Sequence, residues 1–135
     1  MANLMRIRVP QGWAVLDNKF YDVTPEIDGE SDFIRNWSEG FIEDVLWIQE
    51  CRSDTHGGYR LPKYPFFSID LSWLPDSRIN GNYYAKLSRC EGEDTIEVEL
   101  FESTSRLEVR TRIEFWLDDL QHPNSAYRTD VGQAH

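Results

Sequence analysis

The stretch Cys51-Arg-Ser-Asp54-Thr-His56-Gly-Gly gathers a thiol, a carboxylate and an imidazole within six residues. Nucleophilic catalysis needs such a set, because a thiol attacks well only when a base within hydrogen-bond reach takes its proton. A small hydrolase or transferase working through Cys51, Asp54 and His56 is therefore one reading of the chain. The other histidines lack such company: His122 precedes Pro123, and His135 is the last residue. Against this reading, Cys51 closes a periodic apolar stretch, and a thiol packed in a core is inert.

A second set is acidic. Glu39, Glu43 and Glu50 recur at roughly one and two helical turns, with Trp47 among them. Paired carboxylates can hold a hard cation, but the EF-hand spacing is absent and no loop focuses these three. Cys51 and Cys90 lie far apart, without the Cys-x2-Cys pairs of a zinc site. No metal and no cofactor is expected. His56-Gly57-Gly58-Tyr59 leads toward Pro62 and Pro65 instead of opening a helix, so it is a poor phosphate cradle. Trp73, Tyr83 and Tyr84 offer an aromatic-lined platform for a sugar or other small ligand, or else core and cross-strand pairs.

These groups need elements to position them. Over 31–52, a step of about 100° per residue puts Phe33, Trp37, Phe41, Val45, Ile48 and Cys51 on one stripe, which predicts an amphipathic helix. Asp32, Glu39, Glu43 and Glu50 fall opposite, flanked by Ile42, Leu46 and Trp47. Upstream, MRIRVP alternates like a short strand, and 13–16 and 20–23 flank Asp17-Asn18-Lys19 like the arms of a hairpin. Downstream, 53–65 is a loop rich in Gly and Pro. FFSIDLSWLPD then alternates, with Phe67, Ile69, Leu71 and Trp73 on one side and Ser68, Asp70 and Ser72 on the other. NYYAKLSRC and TIEVELF alternate around the turn Glu91-Gly92-Glu93-Asp94 and complete an antiparallel meander, with Glu97 and Glu99 outward.

STSRLEVRTRIEFWLDDLQ fits both periods. The capping-box spacing of Ser105 and Glu108, and the WLDDLQ ending before His122-Pro123, favour a helix. The predicted fold class is α+β, a mostly antiparallel sheet of about five to six strands with two helices packed on one face. A single domain is expected over 1–121, with a loosely held polar tail over 122–135.

Charge narrows the partners. Fourteen Lys and Arg against 24 Asp and Glu leave a net charge of −10, which repels phosphate backbones and anionic headgroups. Direct nucleic-acid or membrane binding is not expected. Aromatic residues at 13% mark a folded chain, and they are interleaved with acids where single-strand binders need bases. No charged n-region followed by an apolar run opens the sequence, so a cytoplasmic protein with reduced thiols is expected.

Glu39 and Glu43, as like charges one turn apart, would cost an isolated helix about a few tenths of a kcal/mol, with Arg35 placed to relieve the first. Together with Trp47, Glu50, the loop residues Asp54 and His56, and Glu97 and Glu99, they outline a surface for a cation-rich partner, where the aromatic anchors and the acids steer. The segments GWAVLDNKFYDV, FIEDVLWIQE, FFSIDLSWLPD followed by NGNYYAKL, and FES leading into IEFWLDDL cover most of the chain. In these the chain resembles the immunity proteins that accompany bacterial polymorphic and contact-dependent growth-inhibition toxins. The resemblance implies a cytosolic inhibitor that binds a cognate toxin domain, frequently a basic nuclease, and blocks its active site or substrate groove without doing chemistry.

Overall fold

Five strands pair antiparallel in the order β1-β2-β5-β6-β7: β1 Trp13–Asn18, β2 Leu46–Glu50, β5 Phe66–Leu74, β6 Asn82–Glu91 and β7 Asp94–Ser103. Two short strands, β3 Arg52–Ser53 and β4 Tyr59–Arg60, form a separate ribbon. The α-helix α1 spans Arg106–Asp119, and one turn of 3₁₀ helix spans Trp37–Glu39. The structure, a computed structural model, describes residues 2–53 and 58–128. The chain is thus α+β, with α1 as the one long helix among the described residues where two packed on the sheet were expected, besides a helical run at 126–128.

The meander follows from alternation. Ile69, Leu71 and Trp73 of β5 face the same side as Tyr83, Ala85 and Leu87 of β6, and all six are buried. Glu91 pairs with Asp94 across Gly92-Glu93, and Gly92 takes φ +71°, a conformation open to glycine without steric cost. Helix α1 starts where the capping pattern places it, the Ser105 hydroxyl accepting the Glu108 N–H at 3.3 Å. Its buried residues Val109, Ile113, Trp116 and Leu117 keep the helical period. Leu107 and Phe115, which a strand would have placed on the same side as Val109 and Ile113, are exposed.

The expected helix over 31–52 does not form. Gly40, at φ +102°, ends the single 3₁₀ turn and lies so close to the Lys19 carbonyl that any side chain there would collide with it. Beyond it the backbone bonds sideways: Trp73 N–H donates to Ile42 O, Val45 N–H to Leu71 O and Lys19 N–H to Val45 O. Leu46–Glu50 then becomes a strand between β1 and β5. Phe41, Val45 and Ile48 are buried as the helical stripe required, but Phe33 and Trp37 are exposed. LWIQE carries period two as well as period 3.6, and pairing with two neighbours decides between them.

Two further expectations give way to the same strand. Trp13–Asn18 pairs with β2 and not with 20–23, so the first hairpin is absent. Asn18 still makes a turn, its side-chain oxygen accepting the Phe20 N–H at 3.0 Å. MRIRVP, residues 5–10, is not a strand: Met5 N–H donates to Phe20 O, and the isolated bridge Leu4↔Tyr21 lies just before it.

The core lies between α1, the 20–45 segment and one face of the sheet. Phe41 meets Trp73 edge-on at 5.1 Å, Trp73 meets Tyr83 at 4.9 Å and Phe20 meets Tyr83 at 5.5 Å. Gly81 packs on the Trp73 indole, whose N–H donates to Arg78 O at 2.9 Å. The segment expected as a loose tail contributes contacts as far as Arg128, which donates to Leu120 O at 2.8 Å and to Glu50 at 2.7 Å. Residues 129–135 lie outside the described residues.

The Tyr83 hydroxyl is buried without a hydrogen-bond partner among the described residues, and burial pushes its pKa up. Leaving a buried donor unmet costs about 1–3 kcal/mol. Tyr83→Phe is expected to leave the ring cluster intact and to raise stability by about 1 kcal/mol, read from the urea midpoint at unchanged m. A loss of stability would show that the hydroxyl has a partner.

Candidate functional site

A strand with one face in the core presents every second residue to the other side. In this sheet the register aligns those residues into rows. Asp17 pairs with Trp47, Trp47 with Asp70, Asp70 with Lys86, and Lys86 with Leu100, so one row crosses all five strands on the face away from α1. Beside it run Ser72, Tyr84 and Glu102. On the other side Ala14, Gln49, Ser68, Ser88 and Glu97 form a third row, in which Ser68 and Ser88 are buried, so the face is open chiefly around the first two rows.

Toward the β1 edge of this face lies a recess of about 290 Å³ lined by Asp17, Lys19, Asp44, Trp47, Asp70 and Ser72, among others. Trp47 is 41% exposed, unusual for an indole in the middle of a sheet. Lys19 reaches Asp17 at 3.2 Å, while Asp44 and Asp70 form no ion pair within 4 Å among the described residues, and Lys86 is the cross-strand neighbour of Asp70. Desolvation raises the pKa of Asp70, Lys86 opposes the shift and Asp44 adds to it.

The residues singled out from sequence are distributed differently. Trp47 stands on the open face, but as a strand residue. Glu39 lies in the 3₁₀ turn and Glu43 is exposed in the following loop, where its N–H donates to Asp76 at 2.9 Å, so the carboxylate line of one helix does not exist. Glu50 is half-buried and occupied: it accepts the Phe67 N–H at 2.8 Å and pairs with Arg128 at 2.7 Å. Glu97 faces outward, opposite Ser88.

Glu99 does not share that side. A register shift between Leu87 and Ser88 places Glu97 opposite Ser88 but Glu99 opposite Leu87, which turns Glu99 to the helix side. There it accepts from the Trp116 indole, Arg112 and the Tyr127 hydroxyl. Period-two reading cannot see a bulge, and both glutamates looked outward for that reason. Asp54 and His56 lie outside the described residues. Asp17, Asp44 and Lys86 were missed: Asp17 and Lys86 join the row of Trp47 through strand register, and Asp44 reaches the recess from the segment before β2.

The rival sets also resolve. Trp73 and Tyr83 are buried in the core while Tyr84 faces the other way, so the aromatic platform is not assembled. Cys51 and Cys90 are both free. Cys51 follows β2 and Cys90 belongs to β6, with β5 between them. Two strand spacings, about 9.6 Å, exceed disulfide reach. Desolvation and then the neighbouring Glu50 charge push the Cys51 thiol up, the opposite of an activated nucleophile. Among the described residues no cluster of His, Cys, Asp or Glu is placed to hold a metal, and no helix is long and apolar enough to cross a membrane.

Two measurements follow from these environments. In a Cys90→Ser background, iodoacetamide should modify Cys51 more slowly at pH 7 than it modifies a free cysteine, with the rate climbing only toward alkaline pH. Faster modification than the free thiol would restore the catalytic reading. For Asp70, a folded-state pKa above the unfolded value means that the charged form disfavours the native state, a cost absent at low pH and incurred as pH rises through the titration. Asp70→Asn should therefore be more stable than the parent at pH 7, with the advantage vanishing toward about pH 4. An equal advantage at both pH values would assign the effect to packing. Compared with known families, curated proteins and solved structures, the chain finds no match.

Proposed function

We propose that this protein is an inhibitor of the immunity type, which neutralises a cationic toxin domain by covering it with the open face of the sheet around Trp47. The observation that carries the reading is the five-strand row with an exposed indole between Asp17 and Asp70, on the face that α1 leaves bare. Trp47 has the shape of an interface anchor, a large rigid side chain that gains by burial against a partner. Asp44, Asp70 and the excess charge of −10 supply the field that speeds encounter with a basic surface. Burial raises the pKa of Asp70, so its charge is held against desolvation on the face offered to the partner. The function needs shape and potential and no reaction.

The partner-binding set changes with the geometry. Trp47, Asp44, Asp70 and Asp17 form the centre, with Glu97 and Glu102 at the far side. Glu50 and Glu99 are removed from it, because their oxygens already serve the fold. A toxin of nuclease type suits this face, since its substrate groove binds phosphates and the acids occupy the same potential. The cysteine-based alternative draws no support from the surroundings of Cys51.

The test is calorimetry against the toxin domain encoded beside this chain, together with rescue of growth on co-expression. Trp47→Ala is expected to weaken binding by about 30-fold or more, the loss of one anchor of about 2 kcal/mol. Asp44→Lys with Asp70→Lys should slow association and flatten its salt dependence. Glu39→Lys with Glu43→Lys should change affinity far less. Unchanged affinity in a folded Trp47→Ala protein would remove the open face from the interface.

A further inference from the structure

Strand β7 is the last in the sheet. Ten residues long, it pairs with β6 on one side, and among the described residues no backbone group bonds to its other side. Exposed edges invite another strand, and natural proteins blunt them with lysine, proline or bulges. β7 contains neither lysine nor proline. Its one bulge lies opposite Leu87 and Ser88, and from Glu99 to Ser103 the pairing is regular.

A groove of about 660 Å³ lies beside that regular half. It is lined by Phe101, Leu107, Glu108, Thr111, Arg112 and Phe115, and Leu107 and Phe115 are 49% and 50% exposed. Arg112 is occupied: it stacks over Phe101 at 4.8 Å and pairs with Glu99 at 3.2 Å. The groove is therefore an apolar slot at the foot of an open strand edge.

We propose that the free edge of β7 and this slot receive an extended segment of a partner protein that alternates basic and apolar residues, adding a sixth strand to the sheet. A strand laid along β7 sends its side chains alternately to the two faces. On the helix side they meet Phe101, Leu107 and Phe115, which suit apolar groups. On the other side they meet Glu97, the exposed Leu100 and Glu102, where the two carboxylates suit Lys or Arg across the strand. The same charges exclude a second copy as the occupant. Apart from Glu99, which is paired on the helix side, β7 carries Asp94, Glu97 and Glu102 and no basic residue, so two such edges would line carboxylate against carboxylate. This site does not depend on the Trp47 face.

The probe is a ten-residue peptide alternating Lys with Val and Phe, followed by amide hydrogen exchange and NMR shifts on the full chain. Exchange protection is expected along 99–103, with shift changes at Leu107 and Phe115. The same peptide N-methylated on alternate residues, which cannot complete the ladder, should lose binding. Glu97→Lys with Glu102→Lys should weaken it by about tenfold, and Phe115→Ser should also weaken it. All three positions are exposed, so the variants should fold. Trp47→Ala should leave it unchanged, which separates this site from the open face. Protection absent from 99–103, equal binding of the N-methylated peptide, or protection that appears with protein concentration alone would overturn the proposal.

Discussion

The arrangement depends on one backbone commitment, the pairing of Leu46–Glu50 with two strands at once. Without β2, β1 has no neighbour and the meander of β5, β6 and β7 would end at β5. Because β2 is central, its alternation is fixed by burial: Leu46 and Ile48 go into the core and Trp47 goes out. A shift of one residue would bury Trp47 and Gln49 and expose both aliphatic side chains, at roughly 1.5–3 kcal/mol for each. The position of the candidate anchor is therefore a by-product of packing on the opposite face. At the end of the strand Glu50 ties β5 and Arg128 together, which joins the C-terminal segment to the middle of the sheet.

The acid surplus divides into two groups by what already holds each oxygen. Glu50, Glu99, Glu91 and Asp22 are joined to Arg128, Arg112, Arg89 and Arg106. Three of these, Glu50, Glu99 and Glu91, are at least two-thirds buried as side chains, where removal of either partner would strand a charge. They hold the molecule together. Asp44, Glu43, Glu97 and Glu102 are exposed and appear in no ion pair among the described residues. A field made of the second group can change partners without changing the fold, and for that reason net charge says something about association and little about architecture.

The sequence was legible where one period was unopposed. β5, β6 and β7 alternate without competition, the Gly92 turn has its glycine, and α1 has both a cap and a stripe. Reading failed at 31–52, because FIEDVLWIQE satisfies two periods and the choice is made by β1 and β5, far away in sequence. Gly40 was the local signal against a long helix, since a glycine in the middle of a stripe weakens it by about 1 kcal/mol. At the candidate site the residue type was readable and its neighbours were not. Trp47 was found, but Asp17 and Asp70 become its neighbours only through the register of two strand pairs. The displacement of Glu99 needed a bulge, which leaves no mark on alternation.

The two surfaces meet geometrically. The row through Trp47 runs from Asp17 to Leu100, four strand spacings or about 19 Å, and Leu100 lies on the edge strand itself. A standard interface covers about 800 Å² on each partner, a patch roughly 28 Å across. The open face alone is narrower than that in the direction across the strands. A strand added at β7 would carry the row about 5 Å further and set its own outward side chain next to Leu100, in line with the indole. A partner with a basic extended segment beside its basic groove would then bury Trp47 and close the sheet edge with the same movement. β7 carries neither lysine nor proline, and its bulge lies outside the regular half from Glu99 to Ser103, which leaves that half open to a partner strand.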